Sequence, residues 1–178
     1  MPLPPSFHTE VKTPRCIIMA SALPTFPRLV FTVFEPISLI GGFLGAIANP
    51  DWFISEQVAS ASSATAPPLA SDNSRLVALQ LGNIYLLMAM VGLAVLNSTS
   101  ELKVVKSYLV ALWIADLGHI YVCYHVLGPD RFLDVASWNS MTWGNVGVTA
   151  FLCLTRTAYL LGLLGTDAQA KKPSKKTQ

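Results

Sequence analysis

The sequence predicts an all-α, polytopic membrane protein: a bundle of four transmembrane helices with a tryptophan-rich interfacial loop between the third and the fourth. Two observations predict this fold class. Hydrophobic residues make up 52% of the 178 residues and charged residues only 12%, which is too little charge to cover a soluble globule. The charges are also unevenly placed, because four stretches of 20 to 23 residues hold only four of them. Each stretch is long enough to cross a hydrocarbon core of about 30 Å as a helix.

The four predicted spans divide the chain into a transmembrane domain (28–165) and two tails that we expect to be cytosolic, 1–27 and the basic 166–178. The spans are Leu29–Ala48, Leu76–Leu96, Val104–Val126 and Trp143–Leu164. Asn49–Arg75 has a Ser/Ala/Pro-rich middle and is predicted to be a flexible connector. The short loop Asn97–Lys103 predicts an antiparallel hairpin. Leu127–Thr142 interleaves aromatic and polar residues, which is typical of a folded cap at the membrane interface.

The distribution of Lys and Arg predicts the orientation. With four spans, nine of these residues lie on the side of the termini and only two on the other, so both termini are expected in the cytosol. The sequon at Asn97 would then stay unglycosylated. Lys175 and Lys176 near the C-terminus match a di-lysine retrieval signal, which favours the endoplasmic reticulum; the alternative is a polybasic tail that touches anionic lipid.

The composition excludes several classes of function. A net charge of +2 gives no general basic surface for nucleic acid, and three cysteines without CxxC spacing imply neither a disulfide scaffold nor a structural metal site. A zinc site is disfavoured because His119 and His125 are six residues apart and lack a third ligand at a suitable spacing. A channel is disfavoured because a single chain of four spans has no ring of charges. We expect no cofactor, and we expect the lipid bilayer as a partner.

Ionisable residues inside the spans need a physical reason, since each costs at least about 2.5–3.5 kcal/mol at the centre of a membrane helix. At about 1.5 Å per residue, Glu35 lies about 10 Å and Arg156 about 12 Å from the cytosolic side, so we expect them to form a structural ion pair. On the first span, Gly41 and Gly45 form a small-xxx-small pair that would admit a partner helix.

A second polar group is predicted in the lumenal half of the bundle. Asp116 and His119 lie about 18 and 22 Å from the cytosolic side, and amides on other spans reach similar depths. Asp116 has no expected cationic partner except His119. The residues predicted to bind a substrate around these two are polar or aromatic: Gln80, Asn83, Tyr85, Trp113, Tyr121, Trp138, Trp143 and Asn145.

Two hypotheses compete for this polar group. In the first, Asp116 and His119 hydrogen-bond to neighbouring helices as interhelical glue. In the second, a carboxyl in a dry pocket keeps its proton, so Asp116 is a general acid and His119 takes or relays the proton. Aromatic faces would then stabilise a developing carbocation, as isomerisation or cyclisation of a terpenoid or sterol requires.

The chain resembles a family of small fungal integral membrane proteins of unknown function, each with four predicted spans. The resemblance covers roughly 27–165. It rests on Arg28 with Glu35-Pro36, Gln80-x-x-Asn83-x-Tyr85, Ala115-Asp116-x-Gly118-His119-x-Tyr121, and Trp138-Asn139-x-Met141-x-Trp143-Gly144-Asn145 followed by Arg156. It implies a four-span architecture and a fungal source but no activity. By weaker analogy, the chain is similar to sterol-isomerase-like membrane domains and to membrane-bound terpene cyclases.

The sequence therefore predicts a multi-pass protein of the endoplasmic reticulum that handles a lipophilic small molecule, as a terpenoid- or sterol-type isomerase or cyclase of fungal secondary metabolism. The alternative is a non-catalytic membrane protein that packs against other helices.

Overall fold

The computed structural model describes residues 22–58 and 70–165, and within these two ranges no strand occurs. The all-α prediction is confirmed for this part of the chain. We number five helices in chain order: α1 (Thr25–Ala48), α2 (Pro50–Ser55), α3 (Asp72–Ser98), α4 (Leu102–Leu133) and α5 (140–160). α5 is made of three consecutive segments, Ser140–Thr142, the π-helical Trp143–Val148 and Thr149–Leu160. The two tails that were predicted to be cytosolic and the predicted di-lysine signal lie largely or wholly outside the described residues.

Three helices are long and apolar enough to cross a membrane: α1 with 24 residues, α3 with 27 and α4 with 32. They identify the chain as a membrane protein by length and composition. α5, which carries the fourth predicted span, is not among the three. Its regular α-helical part has only 12 residues and includes Arg156. The count of four spans therefore stays a prediction.

α1 begins at Thr25, four residues before the predicted start of the first span. Pro27 is compatible with this start because a proline in the first helical turn forfeits no internal hydrogen bond. Pro36 lies inside the helix, where it cannot donate to the carbonyl four residues before it. The π-helical segment Val30–Phe34 widens the helix just ahead of Pro36. A π-bulge of this kind is a rare feature that is frequent at functional sites.

The connector between the first two spans is in part an ordered helix, which corrects the prediction for Asn49–Arg75. The Asn49 side chain caps α2 by accepting a hydrogen bond of 3.1 Å from the Trp52 amide, and Pro50 takes the first helical position. Phe53 is buried against Ala46 and Ala78. The Ser/Ala/Pro-rich middle of the connector falls mostly outside the described residues.

An ion pair joins α2 to the start of α3. The Asp51 carboxylate lies 2.8 Å from Nε of Arg75. This hydrogen bond from Arg75 lowers the pKa of Asp51, since it stabilises the charged carboxylate.

α4 extends seven residues beyond the predicted end of the third span, so the predicted loop Leu127–Thr142 is largely helical. Gly128 has a positive φ of 76°, which breaks the regular helix, and Pro129 starts the turn that follows. A short 3-10 turn at Val135–Ser137 leads into α5. The Asn139 side chain caps α5 by accepting hydrogen bonds from the Thr142 amide at 2.7 Å and the Thr142 hydroxyl at 2.9 Å.

The long helices pack around two apolar clusters, one at each end of the molecule. The first joins the beginning of α1, the end of α3, the beginning of α4 and the end of α5, through Leu23, Val30, Phe31, Leu96, Val105, Leu109, Leu152 and Tyr159. The second lies at the α2 end and is formed by Ala46, Phe53 and Ala78. At the second cluster, α1 and α3 approach closely at Gly82, where an added Cβ would lie 2.9 Å from the Cβ of Ala46.

Gly41 and Gly45 do not make this close helix contact. Gly41 faces open space, and Gly45 packs against Trp52 and Phe53 of α2. The neighbouring Gly42 is the glycine of α1 that meets another long helix, because the ring of Tyr85 on α3 packs against it.

Candidate functional site: a guanidinium shared by two carboxylates

The most deeply buried charged residue of the described chain is Arg156, whose side chain has no exposed surface. One terminal nitrogen of its guanidinium donates to the Asp116 carboxylate on α4, and the other donates to the Glu35 carboxylate on α1. The ring of Phe31 lies 5.2 Å from the guanidinium carbon, within cation–π range. We call Glu35, Asp116 and Arg156 the charge triad. It joins three helices in the interior of the molecule.

The sequence predicted the pairing of Glu35 with Arg156, but only the structure shows that Arg156 serves both carboxylates. Depth alone paired Glu35 with Arg156 and left Asp116 with His119 as its only cation. That expectation for Asp116 is corrected here. Depth along a straight helix locates only the Cα atom of a residue. An arginine has a long side chain and a planar guanidinium, whose two terminal nitrogens can reach different helices.

The charge triad has an unbalanced charge. Two ionised carboxylates and one guanidinium sum to −1, and a net charge is costly in a low-dielectric interior. The triad becomes neutral only when one proton resides on Glu35 or Asp116. The carboxylates are 12% and 13% exposed, so little solvent is present to screen the charge.

His119 lies one turn along α4 from Asp116 but does not contact it. Its ring lies near the backbone of Asn145 on α5. Its Nε2 atom is buried and has no hydrogen-bond partner among the described residues. A buried polar atom without a partner costs free energy and therefore calls for an explanation. This nitrogen could therefore bind a polar group of a ligand.

An apolar cavity of about 210 Å³ lies at the α2 end of the molecule, one turn beyond His119 on α4. Its walls come from α4, from the π-helical part of α5 and from the residues after α2, including Gln57, Val122, Cys123, Val126, Asn145 and Val146. The side-chain amide of Asn145 donates to Gln57 at 2.8 Å. The cavity, His119 and the charge triad therefore follow one another along α4.

The predicted substrate-binding residues lie in several places. Asn145 is the one that lines the cavity. Trp113 donates from its ring nitrogen to the Thr157 hydroxyl at 2.9 Å and so joins α4 to α5. Tyr85 packs against Gly42. Tyr121 is 65% exposed and stacks on His125.

Trp138 and Trp143 belong to an aromatic cluster rather than to the cavity wall. Their rings meet edge to face with centroids 5.1 Å apart, and Trp138 also contacts Phe132, which contacts Tyr124. Such edge-to-face pairs stabilise a fold beyond their buried area. The motif that contains both tryptophans thus organises the junction of α4 and α5.

Gln80 and Asn83 are exposed on the outer surface of α3 and line no cavity in the described part of the chain. The three-residue spacing that placed them on one face was correct. The face itself points away from the interior because Ala78, Gly82 and Ala89 occupy the inward side of α3.

Sequence reasoning missed several residues of the site. Phe31 and Gln57 carry no distinguishing local pattern. Asn139 lies just before the fourth predicted span, three residues ahead of Thr142. Asparagine is a preferred N-cap residue, so Asn139 could have been recognised as a helix cap. Its side-chain amide also donates to the carboxylate of Glu56 at 2.9 Å, which holds the residues after α2 against α5.

No group of three metal-ligating side chains occurs in the part of the chain that the structure describes. Cys123 and Cys153 are free thiols. They lie in α4 and α5, where a small thiol packs as an apolar group.

Comparison with known proteins gives one match. Residues 20–166 match the family described as Domain of unknown function (DUF7704). No curated protein and no solved structure matches the chain. The matched region begins before α1 and ends after α5, so it contains every residue of the charge triad and the whole cavity wall. The chain is therefore a member of the DUF7704 family, a family of unknown function.

Proposed function

We propose that this protein binds a lipophilic small molecule in the cavity between α4 and α5 and transfers a proton to it, as an isomerase or cyclase of the terpenoid or sterol type. The observation that carries the proposal is the charge triad, in which one buried guanidinium faces two carboxylates. Such a site is neutral with one bound proton, so it holds an exchangeable acid inside a membrane. Asp116 is the proposed general acid and His119 the proposed relay.

The cavity supports a lipophilic ligand. Its walls are mostly apolar, and at about 210 Å³ it is smaller than the roughly 300–1,000 Å³ of sites that enclose a drug-sized molecule. It would hold one end of a long isoprenoid or a sterol ring edge while the rest lies in the bilayer. Asn145 lines the cavity, and His119, whose buried Nε2 is unpaired, lies one turn before the wall residue Cys123 on α4.

The proposal includes a location. We propose four spans, with both termini in the cytosol, in the endoplasmic reticulum of a fungus. The support is the nine-to-two distribution of Lys and Arg and the C-terminal di-lysine, both features of the sequence alone.

The test of binding uses photoactivatable analogues of farnesol and of a sterol, added to the full-length protein in proteoliposomes. We expect labelled peptides from α4 and α5 around Cys123 and Val146, and competition by the unlabelled compound. V146W fills the cavity and should abolish labelling, whereas the exposed L117W serves as the matched control and should not. Labelling that V146W leaves intact would place the ligand elsewhere.

The test of catalysis uses solvent deuterium. Proton-initiated isomerisation or cyclisation in D2O leaves one deuterium on a carbon of the product. We expect deuterated product with the wild-type protein and a loss of at least about a hundredfold in D116N, the order of a general-acid contribution. Normal turnover in a D116N protein that is present at wild-type level would rule out Asp116 as the acid.

A non-catalytic role is the second candidate, and a specific observation favours it. Both carboxylates of the charge triad already have a partner, so the triad can serve as a clamp between α1, α4 and α5. Under this alternative, E35Q and D116N change the stability of the protein but generate no difference in any lipid of the membrane.

A further inference from the structure

We propose that α3 is the contact surface of a parallel homodimer, held inside the membrane by hydrogen bonds between Gln80 and Asn83 of two copies. The outer face of α3 lies on the opposite side of that helix from the protein interior, so a contact there is separate from the proposed small-molecule site. Both amides are exposed on this face, and binding of a small molecule does not explain their exposure.

The outer face of α3 is an unbroken stripe. Exposed residues recur at alternating steps of three and four: Asn73, Leu76, Gln80, Asn83, Leu87, Met90, Ala94 and Asn97. This spacing is the seam of a left-handed helix pair. The inward side of the same helix is already used, since Gly82 meets α1 and Gly92 meets the Tyr108 hydroxyl of α4. The stripe is therefore a second surface, separate from the packing within the chain.

Gln80 and Asn83 lie inside the span. Counted from Leu76, where the predicted second span begins, at about 1.5 Å per residue, they are about 6 and 10 Å from its end. No hydrogen bond to either side chain occurs within the described residues. Lipid tails offer neither donors nor acceptors, so an amide that faces them is unsatisfied. The occupant of this surface must present polar groups at the same depth.

A second copy of the chain meets that requirement. Two copies that insert with the same topology are related by an axis along the membrane normal, so each residue of the contact faces the same residue at the same depth. A carboxamide carries both donors and acceptors, and therefore Asn83 can pair with Asn83 and Gln80 with Gln80. Leu76, Leu87 and Met90, each about half exposed, supply apolar contact above and below the amides.

The test measures association of the full-length protein in lipid bilayers by energy transfer between two labelled populations, at several protein-to-lipid ratios. We expect dimers for the wild type. The Q80L/N83L variant keeps similar side-chain size without the amides, and we expect its association constant to fall by about tenfold or more. Y121L is the matched control, because it removes a polar group from an exposed position on α4; its association should equal that of the wild type.

Crosslinking gives an independent readout of the same surface. L87C places a thiol on the stripe and should form a disulfide-linked dimer under mild oxidation, whereas L117C on the exposed face of α4 should not. The proposal is overturned by a wild-type protein that stays monomeric at every density, by equal association of Q80L/N83L and wild type, or by equal crosslinking of L87C and L117C. The proposal is also overturned if the thiol of L87C is inaccessible in the monomer, because a segment of the same chain would then cover the stripe.

Discussion

Arg156 decides the chemistry of the interior at the scale of single residues. A lysine at this position would have one compact ammonium, whereas the guanidinium presents two terminal nitrogens, one to each carboxylate. The guanidinium also lies over the Phe31 ring, which suits a planar, weakly hydrated cation. Arg156 thus explains how three charged residues are accommodated in spans that otherwise contain almost no charge.

Removing the arginine alone should be far more damaging than removing the whole charge triad. In R156M, two carboxyls lose their partner in the interior, and breaking a buried pair costs about 3–5 kcal/mol. The triple variant E35Q/D116N/R156M has no charge to bury and should recover most of that loss. Thermal unfolding in detergent, followed by size-exclusion fluorescence, gives the comparison. An R156M protein as stable as wild type would contradict the triad as a structural centre.

Among the helices, the contact between α1 and α3 depends on glycines that permit close approach. An added Cβ on Gly82 would lie 2.9 Å from the Ala46 Cβ, and neither atom can rotate away. Gly118 on α4 offers the matched control because nothing lies within 4 Å of its added Cβ.

We expect G82A to lower the free energy of unfolding by about 1–3 kcal/mol through overpacking, even though alanine is the better helix former. G118A should leave stability unchanged or raise it slightly. The midpoint of thermal unfolding in the same detergent measures both variants. A neutral G82A would mean that α1 and α3 can separate without cost.

The docking of α2 should depend on pH through Asp51. Its pKa in the folded protein is lowered by the hydrogen bond from Arg75, so the stabilisation is fully present above the unfolded value of about 3.9 and is lost as the pH falls through the lower folded value. Trp52 fluorescence between pH 6 and pH 2 should report this loss as a transition. In D51N the transition should be absent, and high salt should weaken it in the wild type because the pair is near the surface.

For the whole molecule, the number of spans fixes the relation between the termini. With four spans both termini lie on one side of the membrane, and with three they lie on opposite sides. We expect tags at the two ends to be equally accessible to protease added outside intact microsomes. We also expect Asn97 to remain unglycosylated, while a sequon introduced near Asp134 acquires a glycan. Protection of one terminus alone would reject the four-span arrangement.

The sequence was sufficient for the helical class, for three membrane-spanning segments and for the residues that share a helix face, because these depend on composition and on a fixed period of 3.6 residues. It was insufficient for α2, since a six-residue helix inside a connector is held by tertiary contacts of Phe53 and by the Asp51–Arg75 pair. It also missed the helical residues after Pro129, although the regular helix does end near the predicted Val126, where Gly128 leaves the helical conformation.

What the sequence by itself determined is that Glu35, Asp116 and Arg156 are the charges deep inside an apolar chain, since hydropathy shows where charge is rare. Only the tertiary structure decided that Arg156 also pairs with Asp116, and that Gln80 and Asn83 face outward. The physical reason is rotation: a periodic pattern shows which residues share a face of a helix, but the packing of small residues such as Gly42 and Gly82 decides which way that face turns.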